Sequence, residues 1–153
     1  IFGLIYDPVR RECFHAYKGQ GAFFNNVAIR ISEPALPHDK AIALVDFKRL
    51  PTDFAMQLVA DRPYGSQRNL GSIALELCWL AIGRGHLYLH GRQQLWDYAA
   101  GQLIVSETGL AVQTLDGKPL YDGSLTPKSA LSASHPSLFD YWSNYLSRLQ
   151  RDI

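Results

Sequence analysis

The sequence predicts a mixed α/β (α+β) fold: antiparallel β-hairpins first, then a mixed sheet with helices packed on it. Three observations predict it. Residues 1–31 hold short runs of Ile, Phe, Tyr and Val broken by Asp-Pro, Gly-Gln-Gly and Asn-Asn turns, the pattern of hairpins. From Ala41 onward, apolar runs alternate with segments of helical spacing, which reads as strands and helices in turn. Between the two, 32–40 carries two prolines. That connector places a boundary between a hairpin unit, 1–34, and an α/β unit, 35–153.

Taken in order, residues 1–6 and 12–17 are expected to be strands around the turn Asp7-Pro8-Val9-Arg10. Lys18 to Gly21 is a glycine turn, and 22–24 and 27–31 are short strands about Asn25-Asn26. The unbroken run Ala41-Ile42-Ala43-Leu44-Val45 suits a strand buried on both faces. Residues 51–60 have helical spacing, and 67–70 form a short strand. Ser72 caps a helix over 73–82 that is apolar almost all round except at Glu76, so this helix should be buried. A strand at 86–90, a polar loop at 91–95 and a helix from Trp96 to Thr108 follow, then strands at 110–114 and 129–133. Pro136 opens a terminal helix whose apolar stripe is Leu138, Tyr141, Trp142, Tyr145 and Leu149. Trp79 and Trp142 read as core aromatics.

Composition narrows the function. Of 153 residues, 47% are hydrophobic and 19% charged, which excludes wholesale disorder. The formal net charge is +1, so no large field favours nucleic acid, and no such partner is expected. The apolar runs are too short to span a bilayer. Two cysteines, Cys13 and Cys78, make neither a metal cluster nor a disulfide framework, and a reduced, cytoplasmic setting is the simplest reading.

In sheets of this kind, ligands gather beyond strand C-terminal ends and at helix N-termini. The rule points to Gly71-Ser72, to the stretch from His90 to Asp97, and to the turn Ser134-His135-Pro136. Asp97 in a first helical turn is ordinarily a cap, favoured by the helix dipole. The small residues Ala99, Ala100 and Gly101 would let that helix approach its neighbours closely. Backbone N–H groups at Gly71-Ser72 could hold a phosphate, or serve only as a helix start. Together with a carboxylate, two such helix starts on one sheet edge would accommodate both a phosphate and a divalent cation.

Trp96-Asp97-Tyr98-Ala99-Ala100-Gly101, followed by Glu107-Thr108-Gly109, resembles the second signature of the inositol monophosphatase family, W-D-x-small-small-G with E-[A/T]-G at the helix end. Arg68 to Leu75, Ala81 to Gly85, Gly3 to Pro8 and Ala16 to Phe23 with Asn25 are similar to the family's preceding segments in the same order. The resemblance implies a Mg²⁺-dependent, lithium-sensitive phosphomonoesterase with the layered αβαβα sugar-phosphatase fold, of which this chain is the C-terminal part, and a homodimeric state. By position it makes Asp97 a metal ligand. It puts Gly71 and Ser72 on the substrate side, and Lys48 in a loop that contacts substrate in some relatives. His90 falls where inositol-specific members carry a Glu that contacts a substrate hydroxyl. The family's first signature, D-P-[I/L]-D-G-[S/T], and its earlier metal-ligand Glu lie upstream of the matched region and do not occur here.

The 153 residues alone are therefore expected to be catalytically incompetent, because one carboxylate cannot hold several dications beside a phosphate dianion. Without a missing N-terminal segment, the hairpins should also expose an apolar face and an unpaired edge. The alternative expectation is a non-catalytic binding module on the same scaffold, docking to a protein or RNA.

Overall fold

A computed structural model describes residues 1–33 and 35–152. The hairpin segment forms a four-stranded antiparallel sheet, β1 (Phe2–Asp7), β2 (Glu12–Tyr17), β3 (Gly21–Phe24) and β4 (Val27–Ala28), in that spatial order. Asp7 fixes the first turn: its carboxylate accepts the Val9 and Arg10 amides at 2.9 and 3.1 Å and pairs with the Arg10 guanidinium at 3.0 Å. Alternation along β1 buries Gly3 and Asp7 and leaves Phe2, Leu4 and Tyr6 about half exposed, so the outer face of this sheet is apolar. The strand expected over 27–31 stops at Ala28. Beyond it the Ile29 amide makes one more bond, to the Ala22 carbonyl at 2.9 Å, and Ile29 and Ile31 pack against the core.

The second sheet holds β5 (Ile42–Asp46), β6 (Ser66–Arg68), β7 (Leu87–Gln93), β8 (Val112–Gln113) and β9 (Lys128–Ala133), ordered β6-β5-β7-β9-β8. β5 pairs in parallel with β6 and β7, while β9 runs antiparallel to β7 and β8. Four helices accompany it: α1 (Thr52–Asp61), α2 (Ile73–Ala81), α3 (Leu95–Glu107) and α4 (Pro136–Asp152). α2 and α3 lie between the two sheets and share one core with Phe14, Ala16, Ala22, Leu44 and Tyr88. α1 and α4 cover the far face of the second sheet, around Val45, Leu89, Leu131 and Trp142. The hairpin sheet and the α/β segment therefore meet in a common core, and the layers run sheet, helices, sheet, helices.

Small residues make the middle layer thin. A Cβ at Gly101 would sit 2.7 Å from Leu77 Cδ1 and 2.9 Å from Leu77 Cβ, so glycine is what lets α3 press against α2. At its far end α3 is tied to the hairpin sheet: the Glu107 carboxylate accepts the Gly19 and Gly21 amides at 2.8 and 3.0 Å. Those two bonds hold its pKa below the usual carboxylate value.

Three local expectations are corrected. The polar stretch at 91–93 continues β7 through a bulge between His90 and Gln93 rather than forming a loop. Gly91 sits in that bulge because the backbone passes very close to the Arg49 carbonyl, leaving no room for a Cβ. Trp79 is half-buried, not core: the guanidinium groups of Arg10 and Arg84 cover its ring at 5.0 and 5.6 Å. The turn Ser134-His135-Pro136 lies at the opposite end of the sheet from the other two candidate places, because β9 is antiparallel and the Ser134 amide bonds the His86 carbonyl at the start of β7.

Candidate active-site cleft

The parallel strands β5 and β7 end side by side, with Asp46 in register with His90. Two residues earlier, Leu44 and Tyr88 face the core beneath α2 and α3. Alternation therefore turns Asp46 and His90 to that same side, where both helices begin. A cleft of about 640 Å³ opens there. Lys48, Gly71, Ser72, His90 and Asp97 all line it, and so do Asp46, Glu76 and Arg92. The five residues picked from the sequence, spread over fifty positions, are thus brought to one place.

Each wall is built by ordinary local chemistry. Ser72 is the N-cap of α2, its Oγ accepting the Leu75 amide at 3.4 Å. Asp97 does cap α3: its Oδ2 accepts the Gln94 amide at 3.0 Å, which leaves Oδ1 without a hydrogen-bond partner among the described residues. Lys48 stands on the rim in a single 3-10 turn at Phe47–Arg49, largely exposed, its Nζ 3.5 Å from Asp46 Oδ2. His90 is 4% exposed. Its Nδ1 accepts the Arg92 amide at 3.2 Å, and its Nε2 lies 3.4 Å from Asp46 Oδ2. Burial pushes its pKa below the usual imidazole value, against the opposing pull of Asp46.

Sequence reasoning missed Asp46 and gave Glu76 no role. Asp46 is the first polar residue after a buried apolar strand, a position that the strand-end rule covers. Glu76 is the single acid on an apolar helix, 2% exposed. Its Oε1 accepts the Leu70 amide at 2.7 Å, which anchors the segment leading into Gly71-Ser72. Burial raises its pKa, partly offset by that amide, and the nearby Asp46 raises it further.

That raised pKa gives a signed prediction. An unfolded Glu ionises near pH ~4.3, so the folded state loses stability as pH climbs from there through the higher folded value. Glu76→Gln keeps an oxygen for the Leu70 amide and removes the charge. Its melting temperature should gain on wild type progressively as pH rises above the unfolded value. Thermal melts at successive pH values check it; a pH-independent difference would contradict it.

The family model for the inositol monophosphatase family matches residues 1–146. The chain belongs to the inositol monophosphatase family. It is 36% identical over 123 residues to Nus factor SuhB of Pasteurella multocida, covering 78% of this chain and 46% of that protein. It is 33% identical over 141 residues to inositol-1-monophosphatase of Bacillus subtilis, covering 89% and 51%. The chain thus spans about half the length of the curated relatives it matches. The fold agrees with the crystal structure of inositol monophosphate-bound SaIMPase-II, with a TM-score of 0.85 at 25% identity over 99% of this chain and 58% of that one.

Proposed function

We propose that the cleft takes part in Mg²⁺-dependent hydrolysis of a small phosphate monoester. The observation that carries this reading is the convergence of two helix N-termini, at Ser72 and Asp97, on one cleft that also holds cationic Lys48 and Arg92. Backbone N–H groups at Gly71-Ser72 would cradle phosphate oxygens, with the α2 dipole favouring the negative charge. The free Oδ1 of Asp97 is a hard oxygen of the kind Mg²⁺ prefers.

The donor set fits such an ion only in part. Among the described residues, no three of His, Cys, Asp and Glu are grouped so that they could hold a metal ion, whereas Mg²⁺ seeks near-octahedral oxygen coordination. The proposal therefore assigns Asp97 one ligand position and leaves the others to groups outside this chain's described residues. The chemistry supplied by the ion when bound is neutralisation of phosphate charge and activation of a water. This chain's share is to hold the ester and orient it. On this accounting the 153 residues alone are inactive, and activity belongs to the full-length protein.

The test is phosphate release by the full-length protein with and without Mg²⁺, beside the 153-residue chain alone. Mg²⁺-dependent turnover by the former only is expected; turnover at comparable rates by the 153-residue chain would refute the ligand accounting. The relatives called Nus factor SuhB, at 36% identity, favour a second reading, a binding module on the same scaffold. Absence of turnover from the full-length protein on a broad ester panel would select it.

A further inference from the structure

β7 does not reach its end in a regular ladder. Three residues forward on β7, from His90 to Gln93, face two residues back on β9, from Ala130 to Lys128, so β7 carries one extra residue. In an unbroken strand Tyr88, His90 and Arg92 would share a side and Gln93 would take the other. The extra residue reverses that phase. The Tyr88 hydroxyl donates to Gln93 Oε1 at 2.8 Å, which puts Gln93 on the core side with Tyr88.

Both side chains are closed off from solvent, Tyr88 0% exposed and Gln93 1%. Burial, and then the negative charges of Glu76, Asp97 and Asp46, hold the Tyr88 phenol well above its usual pKa, so it stays a neutral donor. The Nε2 of Gln93 meets no acceptor among the described residues. Burying a bare N–H costs stability, and an apolar side chain of the same length would fill the space without that cost. What glutamine supplies here is the acceptor for Tyr88.

Gln93 is joined directly to the peptide that holds Asp97. The Gln94 amide donates to Asp97 Oδ2, and the Gln94 carbonyl accepts the Asp97 amide, both at 3.0 Å. On the other side, Gly91 is pressed against the Arg49 carbonyl. The run into α3 is thus held at Gly91 by contact, at Gln93 by the buried bond and at Gln94 by the helix start. We propose that Gln93, bonded from the core by Tyr88, is a positioning residue for Asp97: it locks the bulge in one phase and so fixes the Gln94 peptide that orients the Asp97 carboxylate in the cleft. The inference deepens the phosphatase reading above, on which its effect on turnover rests. Bulges beside active sites serve to re-aim a side chain, and a displacement of about 1 Å at a reacting centre can cost on the order of 100-fold in rate.

The experiment uses the full-length protein and three variants, Tyr88→Phe, Gln93→Met and the two together. Beside the melting point it reads kcat and KM for p-nitrophenyl phosphate with Mg²⁺, and the hydrogen-exchange rate of the Gln94 amide without added metal. Each single change leaves a buried polar group without its partner and should lower the melting point; the double change removes both groups and should restore it. kcat should fall about 10- to 100-fold in all three variants with KM nearly unchanged. The double variant should lose no more than the worse single one, because the same bond is removed each time. The Gln94 amide should exchange about 10-fold faster in all three, the scale of one hydrogen bond, while amides in the middle of α3 keep their wild-type rates. A double variant that regains both melting point and kcat overturns the proposal, since activity would then follow stability alone. A Gln94 amide that exchanges at the wild-type rate in the double variant overturns it too. If wild type hydrolyses no phosphate ester, the phosphatase reading falls, and the exchange rates alone decide whether Gln93 positions Asp97.

Discussion

Asp97→Asn should cut phosphate-ester turnover by the full-length protein at least about 100-fold while leaving the fold standing. The side chain has two jobs, and the substitution separates them. Oδ2 accepts the Gln94 amide at the start of α3, and the amide oxygen of Asn can do the same. The negative charge on the other oxygen cannot be replaced. Charge neutralisation at a phosphoryl group is worth several kcal/mol, and each ~1.4 kcal/mol is tenfold in rate. Melting curves of the two proteins should nearly superimpose, and the Mg²⁺ concentration giving half-maximal activity should rise in the variant. Turnover equal to wild type would reduce Asp97 to a helix cap and leave the proposed metal position without an owner.

Trp142→Ala should be the most damaging single change to stability. Trp142 is fully buried between α4 and the second sheet, its ring parallel to Tyr145 at 5.9 Å and edge-on to Tyr64 at 6.4 Å. Its indole N–H donates to the Tyr88 carbonyl at 2.9 Å. Truncating a buried Trp to Ala costs roughly 3–5 kcal/mol, a large part of the ~5–15 kcal/mol that holds a typical domain together. In a chain of this size that corresponds to a melting-point drop of about 6–20 °C. Trp142→Phe keeps most of the apolar volume and loses the hydrogen bond, so about 1 kcal/mol of the loss should remain. Urea denaturation of the three proteins measures both steps; an Ala variant within 1 kcal/mol of wild type would mean that the cavity collapses.

The site was legible wherever it followed from local pattern. Ser72 and Asp97 stand at helix starts, which capping preferences reveal, and the rule that ligands gather beyond strand ends pointed to Gly71 and His90, while Lys48 came from the family resemblance; all of them line one cleft. Asp46 escaped because the apolar run ends at Val45, and the strand was closed one residue early. The burial of Glu76 is settled by a contact with the Leu70 amide six residues back, which helical periodicity does not encode. Gly91 and Arg92 read as loop because a bulge breaks the alternation that marks a strand. The Ser134 turn went to the wrong end because the direction of β9 depends on its pairing with β7 and not on its own residues. The order of hairpins followed by a mixed sheet with a buried helix was visible early, since the switch to alternating strands and helices and the near-continuous apolar character of α2 are properties of the sequence itself, whereas the layering was implied by the family resemblance.

α3 runs without interruption from Asp97 at the cleft to Glu107 at the hairpin sheet, a span of roughly 15 Å at 1.5 Å per residue. Its two acids sit at opposite tips and do unlike work, one presenting charge to solvent and the other clamping a turn. The turn that closes β2 onto β3 and the floor of the cleft are therefore fastened to a single continuous helix.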